Sequence, residues 1–279
     1  MPAPATWSSP SKNNGRFRTV WGTKLVGDRL AWEFYLYDYQ RRSRDVSISR
    51  VLKSIAHIAP CKFSINETLP YFMFSIDIDD QLFSGKRDLD VVHMYVGNPG
   101  SIVSSGIAYA ITATRKTREN FYFFFDGKRQ LTEAADKITS SVHLDDTNID
   151  VNNVLRPELR DCHTICVANK QTHDTAYFSG VNVNQLIFFL AWLQYPPAIG
   201  QFVETRRGQL DHLLYDVGFD YTSNGGRPTD PQEWLLRYFL IFRRRGAKFP
   251  CIAFDGPQIV PYANRTSQFC RYGAGSFNC

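Results

Sequence analysis

The sequence predicts an α+β fold: an antiparallel sheet, either open or closed into a barrel, with helices packed on the outside. Two observations support this class. Strand-like runs rich in Phe and Tyr come in pairs before a helix, as residues 19–25 and 30–39 come before residues 48–58. Aromatic side chains favour strands. Paired strands followed by a helix favour an antiparallel sheet, because a parallel sheet needs alternation of strand and helix.

The predicted helix at residues 48–58 shows how the elements are assigned. Ile48, Val51 and Ile55 recur at helical spacing and form one apolar stripe. Ser47 is a suitable N-cap, because its hydroxyl can accept from an otherwise unpaired amide of the first turn. In chain order, strands are predicted at residues 19–25, 30–39, 71–79, 90–96, 107–111, 121–125, 163–168, 175–178 and 213–221, and helices at residues 48–58, 131–138, 183–192 and 199–210.

Residues 19–227 are expected to form a single α+β domain between two segments of different composition. Residues 1–18 are rich in Pro, Ser, Asn and Gly and are predicted to be disordered. Residues 228–279 form a basic, Cys-containing tail with seven Lys or Arg against three acids, which is +4 of the net charge of +5. The tail does not repeat the earlier pattern, and its apolar run at residues 234–242 fits a helix or a strand.

Charge and hydropathy argue against two classes of partner. The chain before the tail is near neutral, whereas nucleic-acid-binding proteins carry basic residues along one face. The longest apolar run, residues 186–193, is far shorter than the ~20 residues that span a bilayer. The N-terminus lacks the pattern of a secretory signal, and six irregularly spaced cysteines are typical of reduced thiols. We therefore expect a cytoplasmic protein that binds neither nucleic acid nor membrane.

The usual catalytic motifs are absent from the sequence, including G-x-S-x-G, G-x-x-x-x-G-K, G-x-G-x-x-G and H-E-x-x-H. Asp77 and Asp79 share one strand face, where they either bind a metal or form a solvated strand end. Cys162 and Cys166 are too close together for a zinc site without a second pair of ligands, and small buried core residues are the alternative. These residues therefore predict no metal site.

A further cluster matches a known metal-ligand set. His143, Asp145 and His212 are two histidines and one carboxylate, as in non-haem iron oxygenases. Because the H-x-D pattern also arises by chance and Asp145 lies in a polar, loop-like stretch, an ordinary loop is the alternative.

Alternation along the strands sorts their side chains into two faces. In the second predicted strand Glu33, Tyr35 and Tyr37 share one face, and apolar residues occupy the other. His93 and Tyr95 are divided from apolar neighbours in the same way. Since an exposed sheet face usually carries long charged side chains, these tyrosines predict the wall of a cavity. A Tyr-rich interface between two copies of the chain is the alternative.

Three stretches resemble the soluble aromatic prenyltransferases of the ABBA type. They are residues 21–30 (WGTKLVGDRL), residues 167–178 (VANKQTHDTAYF) and residues 216–221 (DVGFDY), which precede the turn Asn224-Gly225-Gly226. The resemblance covers roughly residues 20–226 and lies in layout and residue character rather than in a diagnostic motif. It implies ten antiparallel strands closed into a barrel and ringed by helices.

The resemblance also implies an activity, the transfer of a prenyl group from an isoprenyl diphosphate to an aromatic acceptor in the biosynthesis of a specialised metabolite. Both partners are small molecules, no cofactor is required, and Mg²⁺ is optional. Aromatic walls suit this chemistry because ring faces stabilise an allylic cation. By this resemblance the diphosphate meets Lys24, His93 and Lys170, the cavity is lined by Tyr35, Tyr95, Tyr177 and Tyr215, and Glu33 orients the acceptor or takes its proton.

The chain departs from the family pattern in two respects. His93 stands two residues before Tyr95, where the family carries a Lys, and His93 joins Glu33 as a candidate catalytic residue. The residues before the tail are also too few for ten strands, unless the tail supplies the last. Two other hypotheses stay open: a non-haem iron oxygenase that uses the His143 cluster, and a non-catalytic module that binds a ligand or dimerises.

Overall fold

Ten antiparallel strands make up the sheet in the part of the chain that the structure describes. The computed structural model describes residues 19–26, 29–37, 47–98, 104–144, 150–222 and 236–244. The strands are β1 (Thr19–Val26), β2 (Arg29–Tyr37), β3 (Tyr71–Ile78), β4 (Val92–Gly97), β5 (Ser105–Ile111), β6 (Lys116–Asp126), β7 (Thr164–Asn169), β8 (Asp174–Val181), β9 (Leu213–Tyr221) and β10 (Leu236–Arg244).

The sheet is a closed barrel. Each strand pairs antiparallel with its neighbours in sequence, and β1 pairs with β10 to complete the ring. The predicted α+β class is therefore confirmed, and the closed form is the one that the chain adopts. The tenth strand comes from the basic tail, so the barrel extends beyond the predicted boundary at residue 227.

The helices lie between strands and pack against the outside of the barrel. They are α1 (Ile48–Ile55), α2 (Asp80–Phe83), α3 (Leu131–Thr139), α4 (Val183–Trp192), α5 (Pro197–Thr205) and α6 (Arg207–Leu210). As predicted, Ser47 caps α1, accepting a hydrogen bond from the amide of Arg50. In α4, Asn182 and Gln185 form a capping box, which satisfies two backbone amides that the helix leaves unpaired.

Strand alternation turns one face of each strand to the apolar core between barrel and helices, and the other face to the lumen. In β9, Val217 and Phe219 are buried in the outer core between barrel and helices. Gly218 and Asp220 alternate with them, so they face the lumen. The lumen-facing side chains of successive strands therefore come together inside the barrel.

Some sequence expectations change or fall outside the described residues. The single helix predicted at residues 199–210 is two helices, α5 and α6, which meet at Arg206. The segment at residues 1–18 that is predicted to be disordered lies outside the described residues, as does the tail apart from β10. Among the residues that are described, none of the helices has the length and hydropathy needed to cross a bilayer.

Candidate functional site

The barrel lumen is packed at one end and hollow at the other. Phe72, Met73 and Phe124 belong to a cluster that fills the packed end with hydrocarbon and sulfur. The other end holds a cavity of about 490 Å³. This volume falls in the range of roughly 300–1,000 Å³ that small-molecule sites occupy.

Seven of the eight predicted site residues line this cavity. They come from β1, β2, β4, β8 and the turn between β7 and β8, which are far apart in sequence and which barrel closure brings together. These residues are Lys24, Glu33, Tyr35, His93, Tyr95, Lys170 and Tyr177. Their positions agree with a shared site, while their individual roles stay predictions.

A belt of four tyrosine rings, Tyr35, Tyr95, Tyr122 and Tyr177, runs across the cavity. The ring centroids of Tyr35 and Tyr95 are 6.2 Å apart, and those of Tyr95 and Tyr122 are 5.8 Å apart. Tyr177 continues the belt at 6.4 Å from Tyr122. Burial raises the pKa of Tyr35, Tyr95 and Tyr122 above the usual range, so these side chains are neutral phenols.

Glu33 lines the same cavity as this belt, and it is only 5% exposed. Burial and the neighbouring carboxylate of Asp77 raise the pKa of Glu33 to about 7, although Lys24, Tyr35 and His93 act in the opposite direction. One oxygen of Glu33, Oε2, is buried and has no hydrogen-bond partner among the described residues. Glu33 can therefore either hold or accept a proton near neutral pH.

Two ion pairs flank Glu33 at the open end of the cavity. Lys24 Nζ lies 2.8 Å from Asp77 Oδ2, and His93 Nδ1 lies 3.0 Å from Glu119 Oε2. Burial alone would lower the pKa of Lys24, but Glu33 and Asp77 outweigh it and raise the pKa, so this side chain stays an ammonium group. Burial also lowers the pKa of His93, and Glu119 and Asp77 more than compensate, which favours the imidazolium form.

The far wall of the cavity carries a second charged cluster around Asp220. Lys170 Nζ lies 2.8 Å from Asp220 Oδ1, and His173 Nε2 lies 2.9 Å from Asp220 Oδ2. The hydroxyl of Thr175 also donates to Asp220. Burial would raise the pKa of Asp220, but His173 and Lys170 outweigh it and lower the pKa, so the carboxylate is ionised.

Sequence reasoning missed several residues of the site, among them Arg115, Glu119, Tyr122 and His173, which line the cavity, and Asp220, which contacts Lys170 and His173. Tyr122 alternates with phenylalanines along β6 and shares a face with Phe124, and that alternation is the available signal. The pattern Asp216-x-Gly218-x-Asp220 could likewise have indicated an inward face on β9. Arg115 and His173 lie in or beside turns, where alternation predicts no direction, and Glu119 lies in β6 where the register with β5 shifts.

Tyr215 is the predicted site residue that the structure does not bring to the cavity. It is buried in the outer core, and its hydroxyl donates to the backbone oxygen of Leu210 at 3.1 Å. Because residues at odd positions of β9 face outward, Tyr215 lies on the opposite side of the strand from Asp220. The prediction that Tyr215 lines the cavity is wrong.

The proposed iron ligands do not converge. The backbone oxygen of His143 accepts a hydrogen bond from the Thr222 hydroxyl, beyond the end of β9, whereas His212 is exposed just before β9 begins. A strand of this length separates its ends by roughly 30 Å, since each residue advances about 3.3 Å. The two histidines therefore cannot share a metal ion, and Asp145 lies outside the described residues.

The other candidate metal ligands have structural partners. Asp77 pairs with Lys24, and Asp79 caps α2 by accepting from the amide of Leu82 at 2.9 Å. Cys162 is buried, and burial raises the pKa of its thiol to about 12. Within the described ranges, no group of three or more His, Cys, Asp or Glu side chains is arranged to hold a metal ion.

The cavity thus combines an aromatic interior, a buried acid that titrates near neutral pH, and a rim of alternating charges. This combination suits a small organic molecule that carries a charged group at one end. No protein-family model matches the chain, and no curated protein matches it in sequence. The chemistry of the cavity is therefore the basis for assigning a function.

Proposed function

We propose that this protein is a transferase that moves a prenyl group from an isoprenyl diphosphate to an aromatic acceptor in the biosynthesis of a specialised metabolite. The observation that carries the proposal is the tyrosine belt beside a rim that holds Lys24, Lys170 and Arg115. A departing diphosphate needs cationic groups, and the allylic cation that it leaves needs aromatic faces. The cavity provides both environments side by side.

The first step of the proposed reaction breaks the bond between the prenyl C1 atom and the diphosphate oxygen. The electron pair leaves with the diphosphate, and the allylic cation remains among the rings of the belt. Tyrosine faces are negative because of the ring quadrupole, so they attract the cation. Because the hydroxyl groups stay protonated, they are weak nucleophiles and do not capture the cation as an ether.

The rim presents ion pairs rather than a uniformly cationic patch. Lys24 and Lys170 each face a carboxylate at 2.8 Å. A diphosphate bound at this rim would accept hydrogen bonds from Lys24 and Lys170, and a Mg²⁺ ion bound with it would supply further positive charge to the leaving group. We therefore expect added Mg²⁺ to increase turnover.

Glu33 is the proposed partner of the acceptor. Its unpartnered oxygen Oε2 can accept a hydrogen bond from a hydroxyl or N–H group on an aromatic ring. A general base works best when its pKa lies near the working pH, and the pKa of Glu33 is about 7. By accepting this hydrogen bond, Glu33 would increase the electron density of the acceptor ring and so make the attacking carbon more nucleophilic.

We also propose that the protein works in the cytoplasm. Cys61, Cys162 and Cys166 are free thiols in the described chain. Reduced thiols fit the cytoplasm, where glutathione and thioredoxin keep cysteines from pairing.

A product assay tests the proposed activity. The purified protein is incubated with dimethylallyl or geranyl diphosphate and a panel of phenols and indoles, with Mg²⁺ or with EDTA. We expect a product heavier than the acceptor by one prenyl group less one proton, together with an equal amount of diphosphate. E33Q should lower kcat by roughly 10²–10⁴-fold, the usual contribution of a general base.

E204Q is the matched control, because Glu204 is exposed on α5 outside the barrel and should leave turnover unchanged. Absence of any prenylated product from every donor and acceptor, with Mg²⁺ present, would contradict the proposal. Saturable binding of a donor or acceptor without turnover would instead identify a ligand-binding module.

A further inference from the structure

His173, in the turn between β7 and β8, and Asp220 of β9 form an imidazole–carboxylate pair that has no role in the steps above. His173 Nε2 lies 2.9 Å from Asp220 Oδ2, and His173 Nδ1 lies 2.8 Å from Thr172 Oγ1. Both His173 and Thr172 line the cavity, whereas Asp220 is only 1% exposed. The imidazole therefore connects a buried carboxylate to the ligand space.

Two hydrogen bonds, both to Oδ1, hold the carboxylate of Asp220 in place. Oδ1 accepts hydrogen bonds from Lys170 Nζ, at 2.8 Å, and from the Thr175 hydroxyl. Oδ2 is left to face His173. Since Asp220 is ionised, both of its oxygens are acceptors only.

This environment selects one form of the imidazole. Asp220 Oδ2 lies 2.9 Å from Nε2 without the alignment of a hydrogen bond, and a carboxylate oxygen this close repels a nitrogen lone pair, so the contact favours the tautomer in which Nε2 carries the proton. In that tautomer Nδ1 is the acceptor of the 2.8 Å contact with the Thr172 hydroxyl. A ligand atom that bears an acidic proton can take the place of this hydroxyl.

The turn itself is held against the end of the barrel. Asp174 is fully buried and accepts from Asn169 Nδ2 at 2.9 Å and from the Lys170 amide at 3.3 Å. In the ring of strands, β8 lies four places from β2, close to the opposite side of the lumen. A ligand in the cavity therefore has Glu33 on one side and His173 on the other.

We propose that His173 accepts the proton that the acceptor ring loses after prenylation, a role that rests on the proposed prenyl transfer. Bonding of the prenyl carbon leaves the attacked ring carbon tetrahedral and the ring positively charged. The C–H bond at that carbon then breaks, its electron pair restores the aromatic ring, and the proton passes to His173 Nδ1. Asp220 is a positioning residue that orients the imidazole and stabilises the imidazolium.

The test uses H173N and an acceptor deuterated at the carbon that is prenylated. We expect product formation to fall by roughly 10²–10⁴-fold, because a general base is lost. Proton removal should then limit the rate, so a primary deuterium isotope effect should appear that the wild type lacks. Diphosphate release should exceed product formation, since the cation still forms and is captured by water.

Two further variants separate chemistry from folding. H173A leaves a space in which added imidazole should restore part of the product formation. In D220N without ligand, ¹⁵N NMR should show that His173 loses its preference for the Nε2–H form. H57N is the matched control, because His57 is exposed after α1 and outside the barrel, and it should behave as the wild type does.

An active wild type whose H173N variant shows no isotope effect and releases diphosphate and product in equal amounts would overturn the role of His173. A wild type that makes no prenylated product fails at an earlier stage, before any variant is compared. The two failures are thus distinguishable.

Discussion

At the scale of single residues, burial and the nearest charge together decide how each group in the cavity titrates. Lys24 and Glu33 are both buried, yet the pKa of each is raised. For Lys24 the surrounding carboxylates outweigh the loss of water, whereas for Glu33 the loss of water and the negative charge of Asp77 act together. The charge of Asp77 therefore helps to keep Lys24 charged and also favours the neutral form of Glu33.

The raised pKa of Glu33 predicts how stability depends on pH. An ordinary carboxyl titrates at 4.5, and Glu33 in the folded chain titrates at about 7. The folded state thus keeps a proton that the unfolded chain releases, so the stabilisation is complete below pH 4.5 and is lost as the pH rises through 7. In the wild type this group should make the free energy of unfolding fall by about 2–3 kcal/mol between pH 5 and pH 8.

Urea unfolding of E33Q at both pH values checks this expectation, because Gln is neutral at every pH. The fall between the two pH values should be smaller in E33Q by about 2–3 kcal/mol, while E204Q should follow the wild type. Parallel pH curves for E33Q and the wild type would show that Glu33 is already ionised in the folded chain.

At the scale of elements, the contact of β8 with β9 sets the position of one ring of the tyrosine belt. Tyr177 and Gly218 are direct partners in the antiparallel register. A Cβ atom added at Gly218 would collide with the Tyr177 ring and would lie only 2.9 Å from Cε1. Because Gly218 has no side chain, the Tyr177 ring can pack directly against β9.

G218A should push the Tyr177 ring into the cavity. We expect a loss of stability of about 1–3 kcal/mol, as overpacking usually causes, and weaker binding of an aromatic acceptor. Thermal unfolding and acceptor titration measure the two effects. G200A is the matched control, because a Cβ at Gly200 of α5 meets no atom within 4 Å. Wild-type stability and binding in G218A would show that the ring is not confined by β9.

At the scale of the whole molecule, the site exists because the sheet closes. Leu240 in β10 pairs with Gly22 of β1 on one side and with Asp216 of β9 on the other. The strand thus joins the two walls of the cavity, one with Lys24 and Glu33 and one with Asp220. Without β10, β1 and β9 would each present an unpaired edge.

L240P should open the barrel at this seam. Proline has no backbone N–H and is tolerated in strands only at edges, so we expect a loss of about 3 kcal/mol or more. Hydrogen exchange should become faster for the amides of β1 and β9 in particular. L240V keeps the backbone donor and should exchange as the wild type does. Unchanged protection of β1 and β9 in L240P would mean that β10 does not stabilise the ring.

By itself, the sequence determined the local features of this protein. Helical spacing and the Ser47 cap identified α1, and the order of strands and helices indicated the α+β class. Two-residue alternation also separated inward groups such as Glu33, Tyr35 and His93 from the apolar face. These features could be predicted because each depends on neighbours only a few positions away in the chain.

The tertiary structure alone decided closure and the partners across the lumen. The apolar run at residues 234–242 fits either a helix or a strand, and it becomes β10 because β1 and β9 both lack a second partner. Tyr215 turned outward because the register of β9 places Asp216 inside. The contacts of Lys24 with Asp77 and of His173 with Asp220 join segments about fifty residues apart. Register and closure are set by packing over the whole barrel, which no local pattern records.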